Sequence, residues 1–340
     1  VTPPARPLAG VRVIEIAQYT SAPLCARHLA HFGAEVIKIE KPGGDESRTY
    51  EPKIGNRSEV YCMNNAEKKS IVLDLQKPEA IGILHALLRS ADVLIENNKP
   101  GTLAKFGLSP EALAAINPRL VYCAISGFGA ESLYGERPGF DTVIQGMSGF
   151  MTAVNPGGPP LKSGISSADL MGALSSLVSI IAGLAYRDRT GRGQAIDISM
   201  QDVGCWLTAT TWNTDLASIP RPAVVRCADG FVVVEATESV LDATLRGGTV
   251  TRGSLAAQSR AAATARLRAL GLAASEVATV EEASASAQSQ ARRLLYAMPA
   301  EGRDWPMLAL PIRMSRTPPE IRRQAPALDA DRESILAQIG

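Results

Sequence analysis

VRVIEIAQYTSAPLCARHLAHFGAEVIKIE, residues 11–40, decides the fold class. VRVIEIA (11–17) is short, apolar and β-branched, with Gly10 before it, and reads as a strand. PLCARHLAHFG (23–33) then sets apolar residues at helical spacing and stops on Gly33, with Pro23 suited to a first helical turn. AEVIKIE (34–40) is a second strand. Strand, helix, strand at this spacing implies a right-handed crossover between parallel neighbours.

The pattern continues outward. SIVLDL (70–75), ADVLIEN (91–97) and RLVYCAIS (119–126) read as strands, with helices at EAIGILHALLRS (79–90) and near SPEALAAI (109–116). QAIDISM (194–200) and FVVVEA (231–236) are later strand candidates. Such alternation builds a parallel sheet covered by helices, an α/β domain. From about residue 237 the chain is rich in Ala, Arg and Ser, with weak strand signals. It reads there as a smaller, mostly helical unit, with EEASASAQSQARR (281–293) as an exposed helix. PIRMSRTPPEIRRQAPALDADRESILAQIG closes the chain with prolines and one short helix.

Composition narrows the function classes. The chain has 340 residues, 46% of them apolar, enough for the cores of two domains. Basic and acidic residues number 35 and 34, so no global field points to nucleic acid or to an acidic disordered tail. The cysteines (Cys25, Cys62, Cys123, Cys205, Cys227) form no CxxC and suit a reducing compartment. His28 and His31 lie three apart on the first helix but have no further ligand in reach, so no metal site is expected. VTPPARPLAG lacks the apolar stretch of a signal peptide. The Leu170–Tyr186 run, broken by three serines, falls short of the roughly 20 residues a bilayer requires and reads as a buried core helix. A soluble cytoplasmic protein, with neither membrane nor nucleic acid as partner, is the expectation.

The opening also resembles the start of a dinucleotide-binding (Rossmann) domain. Glu40 ends the second strand where an acid could meet a ribose, and Lys41 follows where a phosphate could lie. Yet the turn AQYTSAPLC has none of the glycines of GxGxxG, which allow a backbone to approach a pyrophosphate. That speaks against a nicotinamide cofactor.

SGISSADLMGAL (163–174) places a carboxylate, Asp169, at the head of one of the most apolar segments in the chain. Alone it reads as a cap or first-turn acid, stabilised by free N–H groups and the helix dipole. Ser166 and Ser167 already supply cap candidates, so Asp169 is not needed as one.

In order along the chain stand LAGVRVIEIA, HFGAEVIKIEKPGGDESR, KKSIVLDLQKPEA, ENNKPGTLAKFGL, NPRLVYCAISGFG, RPGFDTVIQGMSG, SSADLMGAL and RTGRGQAIDISMQD. This ordered set resembles the class III CoA-transferases, the CaiB/BaiF family, which includes formyl-CoA transferase and carnitine CoA-transferase and, more distantly, α-methylacyl-CoA racemase. The likeness is close over about residues 8–204 and looser from about 305.

For the fold, the resemblance implies a Rossmann-like parallel-sheet domain built from both chain ends, residues 1–220 with the return of 305–340. A small domain, 221–304, is shorter than usual for the family. It implies an interlocked homodimer and leaves a hetero-oligomer open. For function it implies an acyl-CoA:carboxylate CoA-transferase, with coenzyme A as co-substrate, a small carboxylic acid as the other reactant and no metal. Asp169 matches the nucleophile that carries an aspartyl-CoA thioester. Thr20 and Ser21 match residues along the ligand, Lys41 a basic CoA contact, and Leu73 to Gln76 the adenine side. Asn97 and Asn98 match the pantetheine segment, Lys105 a phosphate contact, and Arg137 lies near another.

The chain departs from the family at marked points. Gln76 stands where some relatives have lysine and Ala66 where many have arginine, so charge is lost around the phosphates. Phe140 stands where racemase relatives carry a histidine, and phenylalanine cannot move a proton. Its neighbour Asp141 is typical of the transferases. The glycine-rich loop that closes over the site in formyl-CoA transferase has no clear counterpart, since 247–248 and 156–160 are only short glycine clusters. A non-catalytic CoA-binding paralogue or partner subunit, and an isomerase or racemase of the same fold, are therefore the alternatives. Asp169 speaks against the former and Phe140 against the latter.

Overall fold

The computed structural model describes residues 6–135, 137–300 and 303–339. One compact unit takes residues 1–212 and 295–340, the other residues 213–294.

The first unit runs through β1 (Arg12–Ile16), β2 (Glu35–Glu40), a two-residue hairpin β3 (Lys53–Ile54) and β4 (Arg57–Ser58), β5 (Lys69–Val72), β6 (Val93–Glu96), β7 (Val121–Ser126) and β8 (Gln194–Ser199). Six of these form an all-parallel sheet in the order β5-β2-β1-β6-β7-β8. Counted within the sheet alone, that is the doubly wound order 3-2-1-4-5-6. Successive residues such as Val13 and Ile14, or Leu94 and Ile95, are all fully buried, as strands covered on both faces require.

The helices are α1 (Ser21–His31), α2 (Glu59–Asn65), α3 (Pro78–Arg89), α4 (Pro110–Ile116), α5 (Asp141–Met147), α6 (Phe150–Val154), α7 (Ser167–Thr190) and α8 (Met200–Leu207). Val13, Val93, Ile95, Val121 and Ile125 pack against α1 and α7 through Leu29, Ala173, Leu177 and Ile180. On the other face Ile14, Ile37, Ile71 and Leu94 meet Leu84, Leu87 and Leu88 of α3, Leu113 of α4 and Ile335 of the closing helix Arg332–Leu336. Each such aliphatic side chain contributes roughly 1.5–3 kcal/mol by leaving water.

The chain's return completes this unit. β12 (Leu295–Ala300) and β13 (Arg303–Leu308) form an antiparallel hairpin whose Met298 and Met307 pack with Tyr61 and Cys62 of α2. The tail then seals the sheet's β5 edge: the Ser70 and Val72 N–H groups donate to Asp331 (3.0 Å) and Asp329 (2.7 Å). An edge strand covered in this way offers no template for another chain.

α7 exceeds the apolar run visible in the sequence. By length and composition alone it is long enough to cross a membrane, with 44% of its apolar window buried in the fold. It ends on Gly191 in the left-handed region (φ 75°). Leu170, Leu174, Val178 and Ile181 form an exposed apolar stripe along it.

The second unit holds an antiparallel sheet in the order β11-β10-β9, made of β9 (Ala223–Cys227), β10 (Gly230–Val234) and β11 (Ala274–Glu276). Helices α9 (Glu238–Leu245), α10 (Arg252–Ala256) and α11 (Arg260–Ala269) cover its inner face through Leu241, Leu255 and Leu267. The FVVVEA strand thus belongs to this sheet, not to the parallel one.

Candidate active site

Strand order reverses between β1 and β6, so their outgoing loops diverge and leave a crevice at the carboxyl edge of the sheet. Two asparagines splice those loops together. The Gln18 N–H donates to Asn97 Oδ1 (3.0 Å), and Asn97 Nδ2 donates to the Gln18 carbonyl (2.8 Å) and to Ser21 Oγ (3.3 Å). Asn98 Nδ2 donates to the Ile16 carbonyl (3.0 Å). Between them Tyr19 is held at φ 64°, a left-handed conformation rare for a bulky residue and concentrated at functional sites.

Two clefts open along this edge. The larger, about 720 Å³, is walled in part by Thr20, Ser21, Asn97, Asn98, Arg137 and Asp169. The smaller, about 440 Å³, includes Lys41, Leu73, Gln76 and Asn98. Asn98 lies on both, so the two form one run along the sheet. Lys105 is the predicted residue on neither wall. It is exposed on the turn Leu103–Phe106, whose Leu103 and Phe106 line the smaller cleft. The side chain of Asn97 is spent on the loop. Lys41 is half exposed and paired with Glu46 at 3.0 Å.

Glu40 is not available to a ribose. Its carboxylate accepts from Arg48 Nε (2.8 Å) and Nη2 (2.6 Å), from Ser70 Oγ (2.6 Å) and from the Asp45 N–H (3.0 Å). The acid that resembled a dinucleotide feature is a structural anchor.

Asp169 stands in the first turn of α7, and α5 positions that turn. The Ala168 N–H donates to Asp141 Oδ1 (2.9 Å), while Gln145 Nε2 donates to Asp141 Oδ2 (2.7 Å) and to the Ile165 carbonyl (3.0 Å). Gln145 Oε1 accepts the Ser163 N–H (3.0 Å), so the segment leading into α7 hangs from one face of α5. Burial, and then the charge of Asp141, push the Asp169 carboxyl up to about 7. Near neutrality it is therefore divided between acid and carboxylate, and the carboxylate is more basic than usual. Lys162 Nζ stands 3.7 Å from Asp141 on the same wall.

The wall also depends on two glycines. A Cβ on Gly127 would come within 2.5 Å of the Gly139 Cα, and one on Gly139 within 2.4 Å of the Gly127 Cα. Only bare backbones can cross this closely. Beside the crossing, Phe128 meets Tyr134 edge-on (5.5 Å), and the Arg137 guanidinium lies over the Tyr134 ring (4.1 Å). Phe140 is 67% exposed at the mouth. Among the described residues, no histidine lines either cleft.

Sequence reasoning noted Asp141 as a family marker but gave it no place in the site. It missed Lys99 and Lys162, which also line the larger cleft. No local signal separates these lysines from surface charge. For Asp141, its placement as the first residue of a helix was the available hint.

The chain matches CoA-transferase family III over residues 8–248 and 248–332. A succinate–glutarate CoA-transferase of Agrobacterium fabrum is 33% identical over 382 aligned positions, covering 98% of this chain and 96% of that protein. An acetyl-CoA:oxalate CoA-transferase of Acetobacter aceti is 42% identical over 202 residues, 58% of this chain and 52% of that protein. The crystal structure of a CaiB/BaiF family protein from Brucella suis superposes with a TM-score of 0.87 at 30% identity, covering 99% of this chain and 100% of that one.

Proposed function

Because the chain belongs to CoA-transferase family III, we propose that it moves coenzyme A from an acyl-CoA to a short carboxylic acid through a thioester on Asp169. One observation carries this: a carboxyl raised to about 7 on the wall of the larger cleft, with no histidine beside it.

An Asp169 oxygen attacks the acyl-CoA carbonyl, the C–S bond breaks and CoA leaves as thiolate, giving an acyl–aspartyl anhydride. The thiolate attacks the aspartyl carbonyl of that anhydride. The donor acid then leaves as carboxylate and CoA becomes a thioester on Asp169. The acceptor carboxylate attacks this thioester and displaces the thiolate. Thiolate attack on the acceptor's own carbonyl releases acceptor-CoA and free Asp169. Each intermediate is activated, so one hard exchange becomes several easier ones. A basic carboxylate favours the first step, and no proton relay is required. With phenylalanine at position 140, the histidine that serves the racemase relatives as second base is missing.

Leu73, Leu75, Phe106 and Gln76 suit the adenine end of CoA, with Lys41 for a phosphate. The larger cleft takes the thioester and the acid. Lys99, Arg137 and Lys162 line it together with the acids Asp141 and Asp169, and Lys162 is paired with Asp141. The one positive charge left in excess favours a reactant with a second negative charge. Relatives named for succinate, glutarate and oxalate support a short dicarboxylate as acceptor.

The test is mass spectrometry of the protein incubated with an acyl-CoA panel. A competent donor leaves a CoA adduct on Asp169 that hydroxylamine converts to a hydroxamate, and mono- and dicarboxylic acids are compared for discharging it. Normal turnover in Asp169→Ala would reject the mechanism.

The exposed stripe Leu170, Leu174, Val178 and Ile181 on α7 supports a homodimer, as do exposed Trp206 and Trp212 in the same unit. Light scattering is expected to give twice the chain mass, and a folded monomer at micromolar concentration would refute this. The two family-matched stretches meet at residue 248, in the second unit, which supports a shortened small domain. All five cysteines are free, in keeping with a cytoplasmic setting.

A further inference from the structure

Beneath the loop that follows β1 lies a set of four charged side chains, each of them 0% exposed. Glu15 of β1 takes Lys38 of β2 on one oxygen (2.7 Å) and Lys68, which precedes β5, on the other (2.6 Å). Lys38 also meets Asp45 at 2.9 Å. Two cations and two anions leave no net charge, but all four have been taken fully out of water. A core that needed only stability would be served as well by packed apolar side chains, because desolvation cancels much of what buried ion pairs gain.

The remaining donors of both lysines explain the expense. Lys38 Nζ donates to the Ala17 carbonyl (2.8 Å), and Lys68 Nζ donates to the Pro23 carbonyl (2.8 Å). Those carbonyls lie just after β1 and in the first turn of α1, on either side of the turn that carries Tyr19, Thr20 and Ser21 onto the larger cleft. Between them, Asp45 accepts the Tyr19 N–H (3.4 Å), Asn64 Nδ2 donates to the Tyr19 carbonyl (3.2 Å) and Asn97 holds Gln18. A left-handed tyrosine persists only where its surroundings over-determine it, and here both flanks of Tyr19 are fixed from below.

We propose that the Glu15–Lys38–Lys68–Asp45 tetrad is a positioning device of the active site, which presets the turn from β1 into α1 so that Thr20 and Ser21 meet the thioester at the distance Asp169 requires. This rests on the transferase function proposed above. The tetrad touches no reactant and acts only through the loop. A wall displaced by an ångström lowers the rate of a positioned reaction by as much as about a hundredfold.

The test uses charge-neutral double variants of the full-length protein, Glu15→Gln with Lys68→Met and Lys38→Met with Asp45→Asn. Three quantities are read: Tm, CoA affinity by calorimetry, and the single-turnover rate of adduct formation on Asp169. Tm is expected to stay within a few degrees or rise, with acylation slowed about 10- to 100-fold and CoA affinity lowered about threefold. A purely structural network predicts the reverse, a lower Tm with acylation and affinity unchanged, and that result would overturn the proposal. If neither double variant folds, Asp45→Asn keeps the side chain's size while loosening its hold on Lys38 and on the Tyr19 N–H. Acylation about threefold to tenfold slower at unchanged Tm supports a preset loop, and a wild-type rate overturns it. If the unaltered protein forms no adduct, the transferase reading fails separately, and the tetrad stands or falls on CoA affinity.

Discussion

Glu40 at the end of β2 and Asp169 at the start of α7 are both carboxylates withdrawn from water, and the protein treats them in opposite ways. Burial pushes the Glu40 carboxyl up, but hydrogen bonds from Arg48 and Ser70, with the Arg48 and Lys38 charges, more than reverse this and leave it below its usual range. At Asp169 burial acts in the same sense, and the neighbour is another acid, Asp141, which adds to it. One charge is fully answered by its surroundings and the other is opposed by them. An unanswered buried charge costs stability, so its persistence agrees with the catalytic role proposed for Asp169.

The largest effect expected from this contrast is at Asp169. Asp169→Asn keeps the size and removes the charge, and turnover should fall at least about 10³-fold if Asp169 is the covalent nucleophile proposed above. Stability should move the other way. With a folded value of about 7 against an ordinary 3.8, the native protein holds a proton between those pH values that the unfolded chain has released. Stability therefore falls as pH rises through that window, and the full loss is present above about pH 7. The variant escapes it and should be more stable than wild type by roughly 2–4 kcal/mol at pH 8, with no gain below about pH 4. Denaturant midpoints at pH 4 and pH 8 measure this, and a variant no more stable at pH 8 would break the comparison.

Glu40→Gln should give the opposite sign. The depressed carboxyl of Glu40 contributes stability above its unfolded value of 4.5, lost only as pH falls through the lower native value. Replacing it leaves Arg48 without its ion pair at 2.6 Å and should cost about 3 kcal/mol at neutral pH. The same denaturation series reads it out. Activity per folded molecule should be nearly unchanged, since the Glu40 carboxylate, although on the wall of the smaller cleft, is taken up by Arg48, Ser70 and the Asp45 N–H.

The contrast also separates what local pattern reveals from what it hides. The strands from VRVIEIA to RLVYCAIS and the crossovers between them were legible because parallel strands buried on both faces read as continuous apolar runs. Asp169 was legible because a carboxylate at the head of an apolar helix is conspicuous, and Phe140 because a side chain that cannot carry a proton is plain from its identity. Glu40 was ambiguous by itself, since a strand-end acid looks the same whether it awaits a ribose or holds an arginine eight residues on. The partners of Glu15, Lys38 and Lys68 were invisible because alternation assigns polar strand residues to water. Only the packing of α1 over β1 and β2 turns them inward. Asp141's contact with the Ala168 N–H joins residues 27 apart, which no spacing rule connects.

Lys41 represents a third situation, a charge that is exposed and only partly answered, and it should give the smallest effect. Its ammonium is half exposed and already paired with Glu46 at 3.0 Å. A CoA phosphate must compete with that carboxylate and with water. The contact should therefore fall below the roughly 1.5–3 kcal/mol of a well-made charged hydrogen bond. Lys41→Ala is expected to weaken CoA about three- to tenfold and dephospho-CoA less than twofold, with turnover at saturating acyl-CoA unchanged. Because the charge is exposed, the difference between the two ligands should shrink as salt is raised. Glu46→Gln frees the ammonium and should tighten CoA by a similar small factor. Equal losses for both ligands in Lys41→Ala would mean that this lysine meets the diphosphate common to them rather than the phosphate that distinguishes them.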